Sequence, residues 1–77
     1  MNIVVRKDKR GLKIGSALLE KILEISKKLN AETITLEVNK KNLPALNLYK
    51  RYGFYQIGLR KKYYNEEDAI LLEKSFN

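Results

Sequence analysis

Apolar and polar residues recur along this chain in segments that predict two helices and four strands. From about Lys13 to Leu29, apolar residues return every three or four positions, which predicts an amphipathic helix. Thr33 to Val38 alternates strictly between polar and apolar residues, which predicts a strand with one buried face. The apolar stripe expected on the helix consists of Ile14, Leu18, Ile22, Ile25 and Leu29, widened by Leu19 and Leu23.

Turn-forming and capping residues divide the rest of the chain. A short strand, Ile3 to Val5, precedes the first helix. Pro44 suits the first turn of a second helix, and Gly53 suits its left-handed end. Phe54 to about Lys62 and Asp68 to about Ser75 are predicted to form an antiparallel hairpin. The buried side of the second helix is predicted to carry Ala45, Leu48, Tyr49 and Tyr52.

The order of these elements, β-α-β-α-β-β, predicts an α/β fold. Strands that are separated by helices pair in parallel through right-handed crossovers, so we expect a mixed sheet with a parallel centre and an antiparallel C-terminal hairpin. The chain has 77 residues, no internal repeat and no linker, so a single domain over residues 1–77 is predicted.

Composition removes several kinds of active site. The chain has no cysteine and no histidine, which excludes disulfides, the common zinc sites and nucleophilic catalysis by Ser-His or Cys-His pairs. Acid–base chemistry must therefore come from carboxylates, tyrosines or lysines. No signal peptide and no membrane-spanning apolar run is visible, so we expect a cytoplasmic protein that binds no metal and no membrane.

Basic residues concentrate around a pair of glycines. The net charge of +7 favours phosphates, nucleic acid or acidic protein surfaces as partners. The segment Arg10-Gly11-Leu12-Lys13-Ile14-Gly15-Ser16 leads two cations and two glycines into the first helix, where unpaired N–H groups attract anions. It is neither a P-loop nor a dinucleotide fingerprint. Taken alone, the segment favours a phosphate site no more than a plain helix start.

Five blocks of sequence occur in a recognisable order. They are Asn2–Val5; Arg10–Glu20; Leu36-Glu37-Val38 followed by Asn42, Ala45, Leu48-Tyr49 and Gly53-Phe54; Lys62-Tyr63-Tyr64; and Glu67–Leu71. Together they resemble the C-terminal half of the GCN5-related N-acetyltransferase superfamily, and within it the RimI-type enzymes that acetylate protein N-termini. The second block is similar to the acetyl-CoA signature of that family, with Lys13 where a glycine is usual.

The resemblance implies transfer of an acetyl group from acetyl-CoA to a protein amine, in particular an N-terminal α-amine such as that of a ribosomal protein. It implies that Glu37 is the general base and Tyr49 the general acid. From the residues alone, Glu37 would be a solvated strand glutamate, and Tyr49 would pack in the core with its hydroxyl at the rim. Cofactor contacts are implied for Ile3, Val4, Val5, Arg10, Gly11, Leu12, Lys13, Ile14, Gly15, Ser16 and Asn42.

Two other functions stay open from the sequence. The N-terminal half of the family has no counterpart in this chain, so the chain is alternatively a non-catalytic, acetyl-CoA-binding half-domain that a homodimer or a complementing chain completes. The net charge also suggests a nucleic-acid binder, but the chain lacks a recognition helix with polar base-reading residues, which disfavours that function.

Overall fold

The computed structural model describes residues 1–6, 15–61 and 68–76. The elements in chain order are β1 (Asn2–Arg6), α1 (Ser16–Lys28), β2 (Thr33–Asn39), α2 (Leu43–Arg51), β3 (Tyr55–Arg60) and β4 (Ala69–Ser75). This order confirms the predicted α/β arrangement. The predicted ends of the first helix and third strand at Lys13 and Lys62 lie outside the described residues. Neither described helix is long and apolar enough to cross a membrane.

The four strands form one mixed sheet in the order β1-β2-β4-β3. β1 pairs in parallel with β2, and β4 pairs antiparallel with both β2 and β3. The mixed sheet and the C-terminal hairpin are therefore confirmed. The parallel pair lies at the β1 side rather than at the centre, because β4 inserts between β2 and β3 and pairs with β2 along its whole length.

Both helices pack on the same face of the sheet, which we call the helix face. On β2 this face carries Ile34, Leu36 and Val38, all almost fully buried, as the alternation predicts. Both crossovers from one parallel strand to the next run in the same direction along the sheet, so right-handed connections place both helices on one side. The shared core consists of Leu19, Ile34, Leu36, Val38, Leu46, Tyr49, Phe54 and Leu72.

The apolar stripe predicted on α1 is only partly buried. Leu19 is the stripe's only fully buried member among the described residues, and Ser26 is also buried on α1. The Tyr52 hydroxyl at the end of α2 donates a hydrogen bond of 2.7 Å to Glu20. Leu19 and Ser26 are about two helical turns apart, so both lie on the side of α1 that faces the core. One flank of this side keeps Leu18, Ile25 and Leu29 about half exposed. No described element covers these three side chains.

The ends of α2 agree with their sequence signals. The Asn42 side-chain oxygen accepts a hydrogen bond of 3.2 Å from the Ala45 N–H, and Pro44 lies in the first turn. Gly53 follows the helix with φ +92°, a conformation that residues with a Cβ rarely adopt. The predicted start and stop of the second helix are therefore confirmed.

Candidate functional site

The described part of the predicted site lies around the edge of the sheet where β1 and β2 end. Pairing between these strands stops at Arg6 and Glu37, whereas β2 continues to Asn39. Each helix follows the carboxyl end of a strand, so both helices begin at this edge. Ligands of open α/β sheets bind in the crevice outside the carboxyl ends of the strands. This edge is therefore the candidate site.

No described side chain occupies the start of α1. Gly15 is its N-cap residue in an extended conformation (φ −77°, ψ 174°), no side chain caps the helix, and the first turn carries no acidic residue. A Cβ on Gly15 would meet no atom of the described residues within 4 Å. The first N–H groups of α1 have no acceptor inside the helix, so they suit an anion. The predicted contacts Arg10, Gly11, Leu12, Lys13 and Ile14 lie outside the described residues.

Glu37 lies on the face of β2 opposite the helices, in the last rung of the β1–β2 pairing. Its side chain is only 9% exposed, and its Oε2 atom lies 3.9 Å from the Nη1 atom of Arg60. A carboxylate that is withdrawn from water and held beside a cation differs from the solvated strand glutamate that the residue pattern alone suggests. The structure thus withdraws Glu37 from water and places it beside a cation.

Tyr49 lies on α2, on the helix face, and is 4% exposed. Its ring packs against Phe54 with 5.9 Å between centroids, and burial raises the pKa of its hydroxyl above 10.0. No described residue hydrogen-bonds this hydroxyl, and no buried polar side-chain atom among the described residues lacks a partner. The raised pKa keeps this hydroxyl protonated at neutral pH.

The sheet separates the two predicted catalytic side chains. Glu37 is on one face and Tyr49 packs in the core on the other. On β1, Ile3 and Val5 point toward the core, whereas Val4 is 58% exposed on the opposite face. The main chain of β1 has no strand partner on its outer edge among the described elements.

One residue of this region was not predicted to belong to the site. The sequence places Arg60 in a basic run that is typical of a solvated strand edge, yet the structure brings its guanidinium to Glu37. The contact joins β2 and β3, which are not neighbours. Only the strand order could have indicated this contact.

Asn42, in contrast, is predicted to contact the cofactor, and its side-chain oxygen is already engaged in capping α2.

Known proteins resemble this chain over most of its length. Residues 1–54 match the Acetyltransferase (GNAT) family. The N-alpha-acetyltransferase of Sulfurisphaera tokodaii is 42% identical over 74 residues, covering 94% of this chain and 44% of the relative. The ribosomal protein bS18-alanine N-acetyltransferase of Escherichia coli K12 is 36% identical over 75 residues, covering 92% of this chain and 51% of the relative.

A solved acetyltransferase structure also resembles this chain. Arabidopsis thaliana Naa50 in complex with the bisubstrate analogue CoA-Ac-MVNAL superposes with a TM-score of 0.77 and 30% sequence identity, covering 97% of this chain and 55% of that one. The chain thus spans about half the length of the relatives that it matches. The family match extends from β1 through α2, the elements that form the candidate site, and shows that this chain belongs to the Acetyltransferase (GNAT) family.

Proposed function

We propose that this chain supplies the acetyl-CoA site and the catalytic side chains of a protein N-acetyltransferase that acts on an N-terminal α-amine. The observation that carries the proposal is the start of α1, which no described side chain caps or fills, at the edge where β1–β2 pairing ends, in a chain of this family. Two relatives are named for α-amine acetylation and for the alanine of a ribosomal protein, so the proposed acceptor is a protein N-terminus, with ribosomal proteins as candidates.

The residues at this edge suit the proposed cosubstrate. Acetyl-CoA supplies an acetyl thioester together with a diphosphate group, and the N–H groups at Gly15 and Ser16 suit the diphosphate. We assign the same role to the segment 10–14 and its two cations. The main chain of residues 3–5 is the proposed partner of the pantetheine arm. Asn42 retains its side-chain NH₂ group for a contact, because the cap uses only the oxygen.

Glu37 and Tyr49 are assigned the two proton transfers. Acetyl transfer forms a bond between the amine nitrogen and the acetyl carbon and breaks the carbon–sulfur bond, while the nitrogen loses a proton and the sulfur gains one. An α-amine has a pKa near 8, so Glu37 accepts its proton as the new bond forms. Burial raises the pKa of the Tyr49 hydroxyl, which keeps it protonated and able to donate toward the sulfur.

The proposal is tested by binding and by turnover. Calorimetry is expected to show acetyl-CoA binding, and mass spectrometry is expected to show acetylation of a peptide with a free N-terminal alanine. Glu37→Gln and Tyr49→Phe should each lower kcat by about 100-fold while acetyl-CoA binding persists. Tyr49→Phe keeps the ring that packs on Phe54. Glu32→Gln, at an exposed position before β2, is the control and should leave kcat unchanged. Absence of acetyl-CoA binding would overturn the proposal.

We further propose that another polypeptide segment, from a second copy or a complementing chain, covers the outer edge of β1. An unpaired strand edge beside exposed apolar side chains favours such pairing, and the side chains concerned are Val4, Leu18, Ile25 and Leu29. Sedimentation of the protein, alone and with any co-purifying chain, measures whether it associates with a second polypeptide. A compact monomer that binds acetyl-CoA and turns over substrate would contradict it. A cytoplasmic location and a single domain over residues 1–77 stay predictions.

A further inference from the structure

Arg60 reaches Glu37 across an intervening strand. On the face opposite the helices, Glu37 is opposite Leu71 of β4, which is opposite Gly58 of β3. In the next rung on this face, Ala69 of β4 is opposite Arg60. The two charged residues are therefore two strands and one rung apart, about 10 Å across the sheet. Only long side chains can bring their charged groups to the observed 3.9 Å.

Small residues on this face leave room for the contact. Ala69 separates Arg60 from β2 in its rung, and a methyl group leaves the guanidinium stem space to cross β4. Gly58, opposite Leu71 in the neighbouring rung, carries no side chain on this face. The local sequence of the hairpin thus permits a long cation to extend from the sheet edge toward the site.

The two partners differ in their exposure to water. The Glu37 side chain is 9% exposed, whereas the Arg60 side chain is 43% exposed. A buried carboxylate needs compensating charge, and arginine provides it permanently because its guanidinium does not lose its proton in proteins. The 3.9 Å separation exceeds the 2.7–2.9 Å of a charge-assisted hydrogen bond. Arg60 therefore acts on the carboxylate through its charge rather than through a direct hydrogen bond.

We propose that Arg60 is a positioning residue for Glu37. Its charge holds the carboxylate at the end of the β1–β2 pairing, turned toward the face opposite the helices, where the acceptor amine is to be deprotonated. Because the contact is not a hydrogen bond, an arriving amine can donate a hydrogen bond to the carboxylate without displacing one from Arg60. This inference rests on the proposed role of Glu37 and adds a residue that acts through it.

Kinetics of four variants test the inference. Arg60→Ala is expected to lower kcat about tenfold, within the range of coupling between residues in direct interaction, with unchanged acetyl-CoA affinity and little change in the KM of the peptide. Arg60→Lys should retain part of the rate, and added guanidinium should restore part of the kcat of Arg60→Ala. Lys61→Ala, which removes the neighbouring exposed charge, is the matched control and should match the wild type. In the Glu37→Gln background, Arg60→Ala should have no further effect.

Two kinetic results would overturn the inference: equal kcat for Arg60→Ala and Lys61→Ala, or the same loss of kcat from Arg60→Ala whether or not Glu37 is present. Urea unfolding of the single and double variants gives a second measurement that needs no activity. An interaction of the observed kind should change the unfolding equilibrium constant by about twofold or more beyond additivity. Additive values would overturn the positioning contact itself. Coupling without any acetyl transfer by the wild type would instead contradict the proposed function and leave the ion pair standing.

Discussion

Gly53 illustrates at the residue scale how one backbone conformation ends a helix. Its φ of +92° lies in the region where a side chain is strained, and a Cβ would lie 2.7 Å from the Lys74 Nζ atom. We expect Gly53→Ala to lower the free energy of unfolding by about 1–2 kcal/mol. The backbone supplies most of this loss, because the Lys74 ammonium is the mobile end of a flexible side chain. Urea denaturation measures it.

Gly58 provides the matched control for this prediction. A Cβ at Gly58 would make an ordinary contact of 3.5 Å with Leu71, and Gly58 is not among the glycines with positive φ. Gly58→Ala should therefore change the free energy of unfolding by no more than about 0.5 kcal/mol. Equal losses in the two variants would show that the positive φ of Gly53 has no particular cost.

Residue-scale features differ in how well the sequence predicts them. The end of α2 at Gly53 and its start at Pro44 are local, since a few neighbouring residues determine them. The contact between Arg60 and Glu37 is not local, because it exists only when β4 lies between β2 and β3. For the same reason the sequence pattern assigns Glu37 to solvent, whereas the folded sheet withdraws it from water.

At the element scale, substitutions at the start of α1 should affect the stability of the fold and the binding of acetyl-CoA in opposite directions. Gly15 has the extended conformation of a capping residue and free space around its Cα, but it offers no side-chain acceptor. We expect Gly15→Asp to cap the helix and interact with its dipole, raising the free energy of unfolding by about 0.5 kcal/mol. The added carboxylate should also repel the diphosphate, so calorimetry should show weaker acetyl-CoA binding.

Gly15→Asn separates the two effects of that substitution. Asparagine caps a helix about as well as aspartate but adds no charge. We therefore expect a similar gain in stability with a smaller loss of acetyl-CoA affinity, and the difference between the variants should shrink as salt screens the charge. Unchanged affinity in Gly15→Asp would place the diphosphate elsewhere.

The elements themselves were predictable, but their arrangement was not. Periodicity located both helices and all four strands, and the crossover rule predicted the parallel pairing of β1 with β2. The insertion of β4 next to β2 could not be predicted, because alternation shows which face of a strand is buried but not which strand is its neighbour. The rotation of α1, with Leu19 against the sheet and Leu18 outside, likewise depends on how the helix packs against α2 and β2.

At the scale of the whole molecule, alkaline titration tests whether the fold raises the pKa of three tyrosine hydroxyls. The hydroxyl pKa is raised by burial at Tyr49, mainly by the hydrogen bond to Glu20 at Tyr52, and by burial and the charge of Glu73 at Tyr55. The unfolded chain therefore releases these protons first, so this stabilisation is complete below pH 10 and is lost as pH rises through the raised pKa values. The urea concentration at the unfolding midpoint should fall as the pH is raised from about 8 to 11. The fall should be less steep in Tyr49→Phe and in Tyr52→Phe than in the wild type. Lysine titration contributes equally to every variant, so identical slopes in wild type and variants would contradict the assigned shifts.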